Sequence, residues 1–309
     1  MKSELKSLRK TAALGLILGA AGLWTACGET PQGDTAITET SSSEAVPTGE
    51  EKERAERVKH IFRAVPSPME MASMLKRTGA QYDANLLNDV KNVNSYNTAR
   101  SKALNLGIYG AGLSYASVFN QNQESIIFLS CTKKLADKLG VSKAFDEETI
   151  ERMEANVDNR DSLLNIVSET YYLLDAYLKE NGREHISAMV IAAGWIEGLH
   201  ISTSVARGSE APSEELMTRI ADQKISLGNL IDLVEAYNTD NKLEEIHSDL
   251  LALREVFNST VQTEKGETAL QTAEDGTAVI GAKTKTQFTA EGLESIYTAV
   301  NEIRTRYIS

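Results

Sequence analysis

The chain has 309 residues, with 32 basic and 44 acidic side chains, a net charge of −12 at pH 7 and only two cysteines. Nucleic-acid binding depends on Lys and Arg neutralising phosphates, so this acidic balance argues against it. The same balance argues against attachment to a membrane through a basic protein surface.

The first 27 residues have the pattern of a bacterial secretion signal. Four basic side chains precede an apolar run over residues 12–24, which is shorter than the roughly 20 apolar residues of a membrane span. Two small residues then lead to Cys27. This ending resembles a bacterial lipoprotein signal, which implies cleavage after residues 1–26 and a lipid on the Cys27 sulfur. Trp24 stands where such signals usually carry Leu, and an ordinary secreted protein cut nearby is the alternative.

Residues 27–51 are predicted to be a disordered tether. They are rich in Thr, Ser, Glu and Gly, and they hold too few apolar side chains to offset the entropy of ordering. The first 26 residues hold 4 of the basic and 1 of the acidic side chains, so the rest has 28 basic and 43 acidic side chains, a net charge of −15. Membrane attachment would then depend on the lipid chains themselves.

Residues 52–309 are predicted to form one all-α domain, a multi-helix bundle of about ten helices. Ser67, Pro68 and Glu70 have the order of a capped helix start. Gly140 follows an apolar segment, as a C-terminal stop does. Within most segments apolar residues recur at steps of three and four residues. The predicted helices span residues 52–64, 68–78, 95–120, 122–139, 146–156, 160–180, 184–206, 213–238, 241–262 and 289–307.

Two segments differ from the amphipathic helices because they have no polar face. Residues 103–123 contain no acidic or basic side chain, and residues 186–206 contain only Glu197 and His200 as ionisable groups. Helices of this kind are buried at the centre of a larger helical body. The polar side chains within them make a membrane span unfavourable.

Small residues line one side of each central helix at four-residue steps. They are Ala103, Gly107 and Ala111 in the first helix, and Gly194, Gly198 and Ser202 in the second. This spacing predicts a close approach of another backbone. Two interpretations follow, a tight helix crossing in the core or room for a bound ligand. The second interpretation predicts a small-ligand sensor with a pocket near Tyr109, Tyr115 and Trp195, with Glu197 and His200 beside it.

Glu197 is the most unusual ionisable residue, because a carboxylate inside an apolar helix needs a proton, a charge partner or hydrogen bonds. His200 follows it by one helical turn, and Glu244 and His247 repeat that spacing. Di-iron carboxylate bundles use two such pairs with two further Glu side chains, so a di-metal oxidoreductase is an alternative. Those further carboxylates have no candidates here. We therefore favour Glu197 and His200 as hydrogen-bonded core groups, and we predict no catalytic residue, metal or cofactor.

One segment departs from the helical pattern. Asp275-Gly276 lies between arms rich in Thr and Val, and this is typical of a hairpin turn. A small β-hairpin is therefore expected near residues 268–288, with a surface loop as the alternative.

Three sequence blocks stand out in the helical domain: Asn105-Leu-Gly-Ile-Tyr-Gly-Ala-Gly-Leu-Ser-Tyr115, Asn159-Arg-Asp-Ser-Leu-Leu164 and Gly194-Trp-Ile-Glu-Gly-Leu199. They resemble an uncharacterised family of all-helical lipoproteins from Bacteroidota, over about residues 55–309. The resemblance implies an outer-membrane lipoprotein of a Gram-negative envelope and adds no site residue. Gly28 replaces the Asp that marks inner-membrane retention in other lipoproteins, which also favours the outer membrane. The periplasmic or exterior orientation of the domain stays open.

These patterns predict a lipid-anchored cell-envelope protein that acts as a binding or scaffold module and performs no catalysis. Its membrane contact is the N-terminal lipid. Its ligand is either an envelope protein or a small molecule.

Overall fold

The computed structural model describes residues 64–142, 147–156, 159–272, 278–287 and 289–309. The predicted signal peptide, Cys27, the predicted tether and the predicted first helix up to residue 63 lie outside the described residues. Within them the fold is the predicted all-α multi-helix bundle. Its α-helices, in chain order, are α1 (Pro68–Arg77), α2 (Ala99–Val118), α3 (Asn122–Leu139), α4 (Glu147–Ala155), α5 (Arg160–Glu180), α6 (Glu184–Gly208), α7 (Glu214–Tyr237), α8 (Glu244–Thr260) and α9 (Ala290–Ile308).

Capping groups explain where several helices begin and end. At the start of α1, Glu70 N donates to Ser67 Oγ at 3.2 Å and Ser67 N donates to Glu70 Oε2 at 2.7 Å. Two free amide groups are thereby satisfied reciprocally. After α3, Gly140 adopts a φ of 68°, a left-handed conformation that favours glycine. Both predicted signals are confirmed.

α2 and α6 form the centre of the bundle, as predicted from their composition. α2 packs against α1, α3 and α6, and α6 also contacts α7 and α9. Within the described ranges, α6 is the one helix long and apolar enough to cross a membrane, and 94% of its apolar window is buried inside the protein. Such burial is what a core helix requires.

The crossing of α2 and α6 depends on glycine. A Cβ atom built on Gly107 would lie 2.1 Å from the carbonyl oxygen of Val190 and 2.9 Å from the amide nitrogen of Gly194. Both neighbours are backbone atoms, so no side-chain movement could make room in a close-packed interior. The contacts support the tight-crossing interpretation, because the neighbouring helix fills the space that a ligand would need.

The predicted hairpin region contains two antiparallel strands. β1 (Gln262–Thr272) pairs with β2 (Ala278–Gln287), and the register becomes irregular between Lys265 and Thr268. β1 begins at Gln262, before the predicted residue 268, and α8 ends at Thr260, before the predicted residue 262. The predicted turn residues lie outside the described part of the chain.

The α1–α2 connection, residues 78–98, is not a simple loop. It contains two short 3-10 helices, Ala84–Leu86 and Val90–Asn94. Each begins at an aspartate, Asp83 or Asp89, whose Oδ1 accepts a hydrogen bond at 2.9 Å from the backbone two residues later. These side-chain caps satisfy amide groups that a short helix leaves free.

The end of this connection sets the start of α2. A helix start at residue 95 was expected, but α2 begins at Ala99. Thr98 causes the difference, since its hydroxyl accepts a hydrogen bond from Ser101 N at 2.9 Å and forms the N-terminal cap.

Candidate functional site

A buried ion pair joins α6 to α9. Glu197 is fully buried, and Arg304 Nε donates to its Oε2 at 2.5 Å while Nη2 donates to its Oε1 at 2.9 Å. Burial raises the pKa of the Glu197 carboxyl, and the Arg304 charge opposes that rise. A bidentate pair of this geometry favours the ionised carboxylate. Glu197 is therefore a buried side chain with both oxygens hydrogen-bonded inside the protein.

His200 lies beside this pair but is less completely bonded. Burial and the Arg304 charge lower the pKa of His200 to about 3, so its imidazole is neutral at physiological pH. The ring stacks on Tyr297 of α9 with centroids 6.3 Å apart. Its Nδ1 has no hydrogen-bond partner among the described residues. His200 is therefore a packed core side chain with one unused acceptor or donor.

The structure does not bring the two Glu-x-x-His pairs together. Glu244 is exposed at the start of α8, and His247 is only partly buried. In the described part of the chain, no group of three or more His, Cys, Asp or Glu side chains is placed to hold a metal. Both oxygens of Glu197 already accept hydrogen bonds from Arg304.

Trp195, Tyr109 and Tyr115 are all buried, and their polar atoms bond to different parts of the protein. Trp195 Nε1 donates to Gln223 Oε1 of α7 at 3.2 Å. The two tyrosines of α2 instead bond to the backbone of the α1–α2 connection. The three hydrogen bonds therefore go to three separate partners, Gln223 of α7 and the backbone of Asp83 and of Asp89.

Three buried side chains hold the α1–α2 connection in place. Tyr109 Oη donates to the Asp89 carbonyl at 2.9 Å, and Tyr115 Oη accepts from Asp83 N at 3.1 Å. Arg304 Nη2 also donates to a carbonyl of the first 3-10 helix at 3.1 Å. Breaking buried hydrogen bonds leaves groups unsatisfied at a cost in free energy. The connection is consequently fixed from α2 and α9 before any ligand binds.

A surface groove of about 380 Å³ lies between this connection and α3. Its volume falls within the roughly 300–1,000 Å³ typical of ligand sites. We call it the Ile127 groove, because Ile127 of α3 is 46% exposed at its edge. Its lining residues include Tyr82, Leu87, Asp89, Val90, Glu124 and Ile127.

The tyrosines predicted as binding residues form the layer behind this groove. Tyr115 stacks on Tyr82 with ring centroids 4.9 Å apart, and Tyr109 packs near the groove residue Phe128 at 6.1 Å. Sequence reasoning missed the groove residues themselves, since the connection has no helical periodicity. The pair of Asp-initiated 3-10 turns was the signal that could have marked an ordered connection there.

The electrostatics of the groove are acidic. Tyr82 donates its hydroxyl hydrogen to Glu124 Oε2, and burial together with this carboxylate raises the pKa of Tyr82, so the hydroxyl keeps its proton. Asp89 is exposed, and its Oδ2 lies 4.0 Å from Nζ of the highly exposed Lys91. No basic side chain is among the lining residues that the structure describes.

Family models, curated proteins and solved structures were compared with the chain, and none matches. The choice of a functional site therefore depends on the geometry of this chain alone.

Three other spaces are less suited to binding. A second groove, of about 420 Å³, borders the end of α6 and the start of α7, and most of its lining residues are small. Two apolar interior cavities beside Tyr171 have volumes of about 20 and 50 Å³, far below the roughly 300 Å³ of a small-ligand site. The Ile127 groove combines sufficient volume, an exposed large apolar side chain and convergent polar groups.

Proposed function

We propose that this chain is a lipid-anchored protein of a bacterial outer membrane that binds an envelope protein in its Ile127 groove and catalyses no reaction. The groove is the observation that carries the proposal. It presents a half-exposed Ile127 beside the partly buried Leu87 and Val90. A partner docked here would find apolar side chains bordered by polar ones, the arrangement of a protein interface with an apolar centre and a polar rim.

The rigidity of the groove also supports binding. Its connection side is bonded to Tyr109, Tyr115 and Arg304. A surface that is ordered before association loses less conformational entropy when a partner docks. An open groove suits a protein partner better than a small molecule, because small-ligand sites bury most of the ligand.

The proposed anchor is supported by the sequence around Cys27. A basic start and a short apolar run precede that cysteine, and the blocks similar to Bacteroidota lipoproteins favour the outer membrane. Two or more acyl chains are sufficient for stable attachment.

The proposal that the protein catalyses no reaction is supported by the positions of the residues considered for a di-metal site. Glu197 is paired with Arg304, while Glu244 and His247 lie apart from it. Metal analysis of protein purified without chelators tests this point. About two iron ions per chain would restore the di-metal alternative.

Site-specific photo-cross-linking in living cells tests the groove. A photoreactive phenylalanine derivative is placed at residue 127 in one strain and at residue 126 in another. Ile126 is the matched control, because it lies on the same helix with the same 46% exposure but does not line the groove. We expect a discrete cross-linked protein from position 127 only. Equal products from both positions, or none from position 127, would contradict the proposal.

A further inference from the structure

We propose that the Ile127 groove recognises a peptide segment in which a Lys or Arg side chain stands next to an apolar side chain. This inference depends on the proposed function and names the chemistry of the partner. The arrangement of charge around the apolar part of the groove is the observation that carries it.

Two carboxylates and an apolar surface lie within one groove. Glu124 stands in the first turn of α3, and Asp89 begins the second 3-10 helix on the opposite side. Leu87, Val90 and Ile127 are among the apolar lining residues. A ligand that fits both features carries a positive charge and an apolar group a short distance apart.

The Glu124 carboxylate is oriented toward a donor but is not saturated by one. The Tyr82 hydroxyl donates to Oε2, and no other hydrogen bond or ion pair to the Glu124 side chain occurs among the described residues. A carboxylate can accept several hydrogen bonds. Oε1 is therefore available to an ammonium or guanidinium group, and Tyr82 fixes its direction.

The net charge of the protein also favours a cationic partner. The chain after residue 26 carries a net charge of −15, which raises the local concentration of cationic partners through the long-range field. Lys91, which follows the lining residue Val90 in the sequence, is 88% exposed and only loosely paired with Asp89 at 4.0 Å. A cationic side chain of the partner could displace it at little cost, because exposed ion pairs are weak.

Methyl NMR of the full chain in zwitterionic detergent tests the inference. The isoleucine δ-methyl groups are labelled, and Ile127→Ser and Ile126→Ser identify the two neighbouring signals. The probes are three capped tripeptides, Leu-Lys-Leu, Leu-Gln-Leu and Leu-Glu-Leu, which differ mainly in charge. We expect a saturable shift of the Ile127 signal with the Lys peptide, a weaker response with the Gln peptide and none with the Glu peptide.

Variants of the carboxylates sharpen the test. The double variant Asp89→Asn with Glu124→Gln keeps the cap of the second 3-10 helix and the hydrogen bond from Tyr82 but removes both charges. It should lower the affinity for the Lys peptide about five-fold. Asp137→Asn is the control, because Asp137 lies on the same helix and also accepts a hydroxyl hydrogen bond, from Ser142 at 2.7 Å. The Asp137→Asn variant should bind the Lys peptide as tightly as wild type. Added salt should weaken the binding of the Lys peptide to wild type.

The outcomes separate this inference from the proposed function. Equal binding of all three peptides, or no response to the Lys peptide while cross-linking from position 127 persists, would overturn the cationic partner but keep the groove as the binding site. If peptide binding and position-specific cross-linking both fail, the inference and the proposed function fall together.

Discussion

The Glu197 centre and the Ile127 groove place similar chemical groups in opposite settings. In the centre, a carboxylate is sealed from solvent and paired bidentately with Arg304. In the groove, carboxylates and a large apolar side chain face solvent together. The two regions are connected, because Arg304 also bonds to the backbone of the α1–α2 connection that forms one side of the groove.

The residue that is most conspicuous in a sequence is therefore not always the one that contacts a partner. A charge inside an apolar helix stands out, and burial then requires an internal partner for it. Groups that are free to bind a partner are exposed, and in a sequence they look like ordinary surface residues. If burial causes the difference, variants in the Glu197 centre should change stability most and variants in the groove least.

Arg304→Met should have the largest effect on stability. It leaves Glu197 buried without its charge partner, which should lower the free energy of unfolding by about 3–5 kcal/mol. Urea denaturation of the full chain measures the loss. The double variant Glu197→Met with Arg304→Met removes both charges and should recover most of it. A single variant as stable as wild type would show that the pair does not stabilise the fold.

His200→Gln should change how stability depends on pH. The folded pKa of His200 is lowered to about 3 from 6.5, so between these values the unfolded chain binds more protons than the folded one. Stability must therefore fall as the pH decreases through this window. The histidine should account for roughly 2–3 kcal/mol of the loss between pH 7 and pH 4.

Denaturation curves of wild type and His200→Gln at several pH values measure this contribution. The variant should lose less stability than wild type on acidification. Parallel losses in the two proteins would mean that the neutral imidazole is not maintained by burial beside Arg304.

How much of this could be predicted from sequence differs between the two regions. The helices α3 and α5 have the predicted bounds, because their apolar residues recur at helical steps and a capping residue marks one end of each, Gly140 after α3 and Asn159 before α5. The burial of Glu197 followed from its apolar neighbours. Its partner did not, since Arg304 is 107 residues away and its own helix looks like any amphipathic helix.

The groove could not be predicted for a related reason. Ile126 and Ile127 are adjacent apolar residues in the sequence, and only the packing of α3 beside the connection makes one of them a groove residue. The connection itself is held by tertiary hydrogen bonds from Tyr109 and Tyr115 rather than by local periodicity. Sequence reasoning identified those tyrosines but not the surface they support.

Arg207→Gln should have a much smaller effect than Arg304→Met, although it also removes an ion pair between α6 and α9. Arg207 Nε donates to Glu294 Oε2 at 2.7 Å, and both side chains are about half exposed. Water and salt screen such a pair. Denaturation at low and high salt should show a small difference that disappears at high salt. If Arg207→Gln lowered the free energy of unfolding as much as Arg304→Met, burial could not explain why the two ion pairs differ.

Ile127→Ser should have the smallest effect on stability and the clearest effect on binding. Its side chain is exposed, so the free energy of unfolding should change by no more than about 0.5 kcal/mol, as for Ile126→Ser. Thermal denaturation checks this equality, and peptide titration should show weaker binding for Ile127→Ser alone. If Ile127→Ser unfolds the protein, or if both serine variants bind equally well, the groove residue acts like other surface residues. The separation of stability from binding depends on this difference, because the two isoleucines share a helix and an exposure and differ in whether they face the groove.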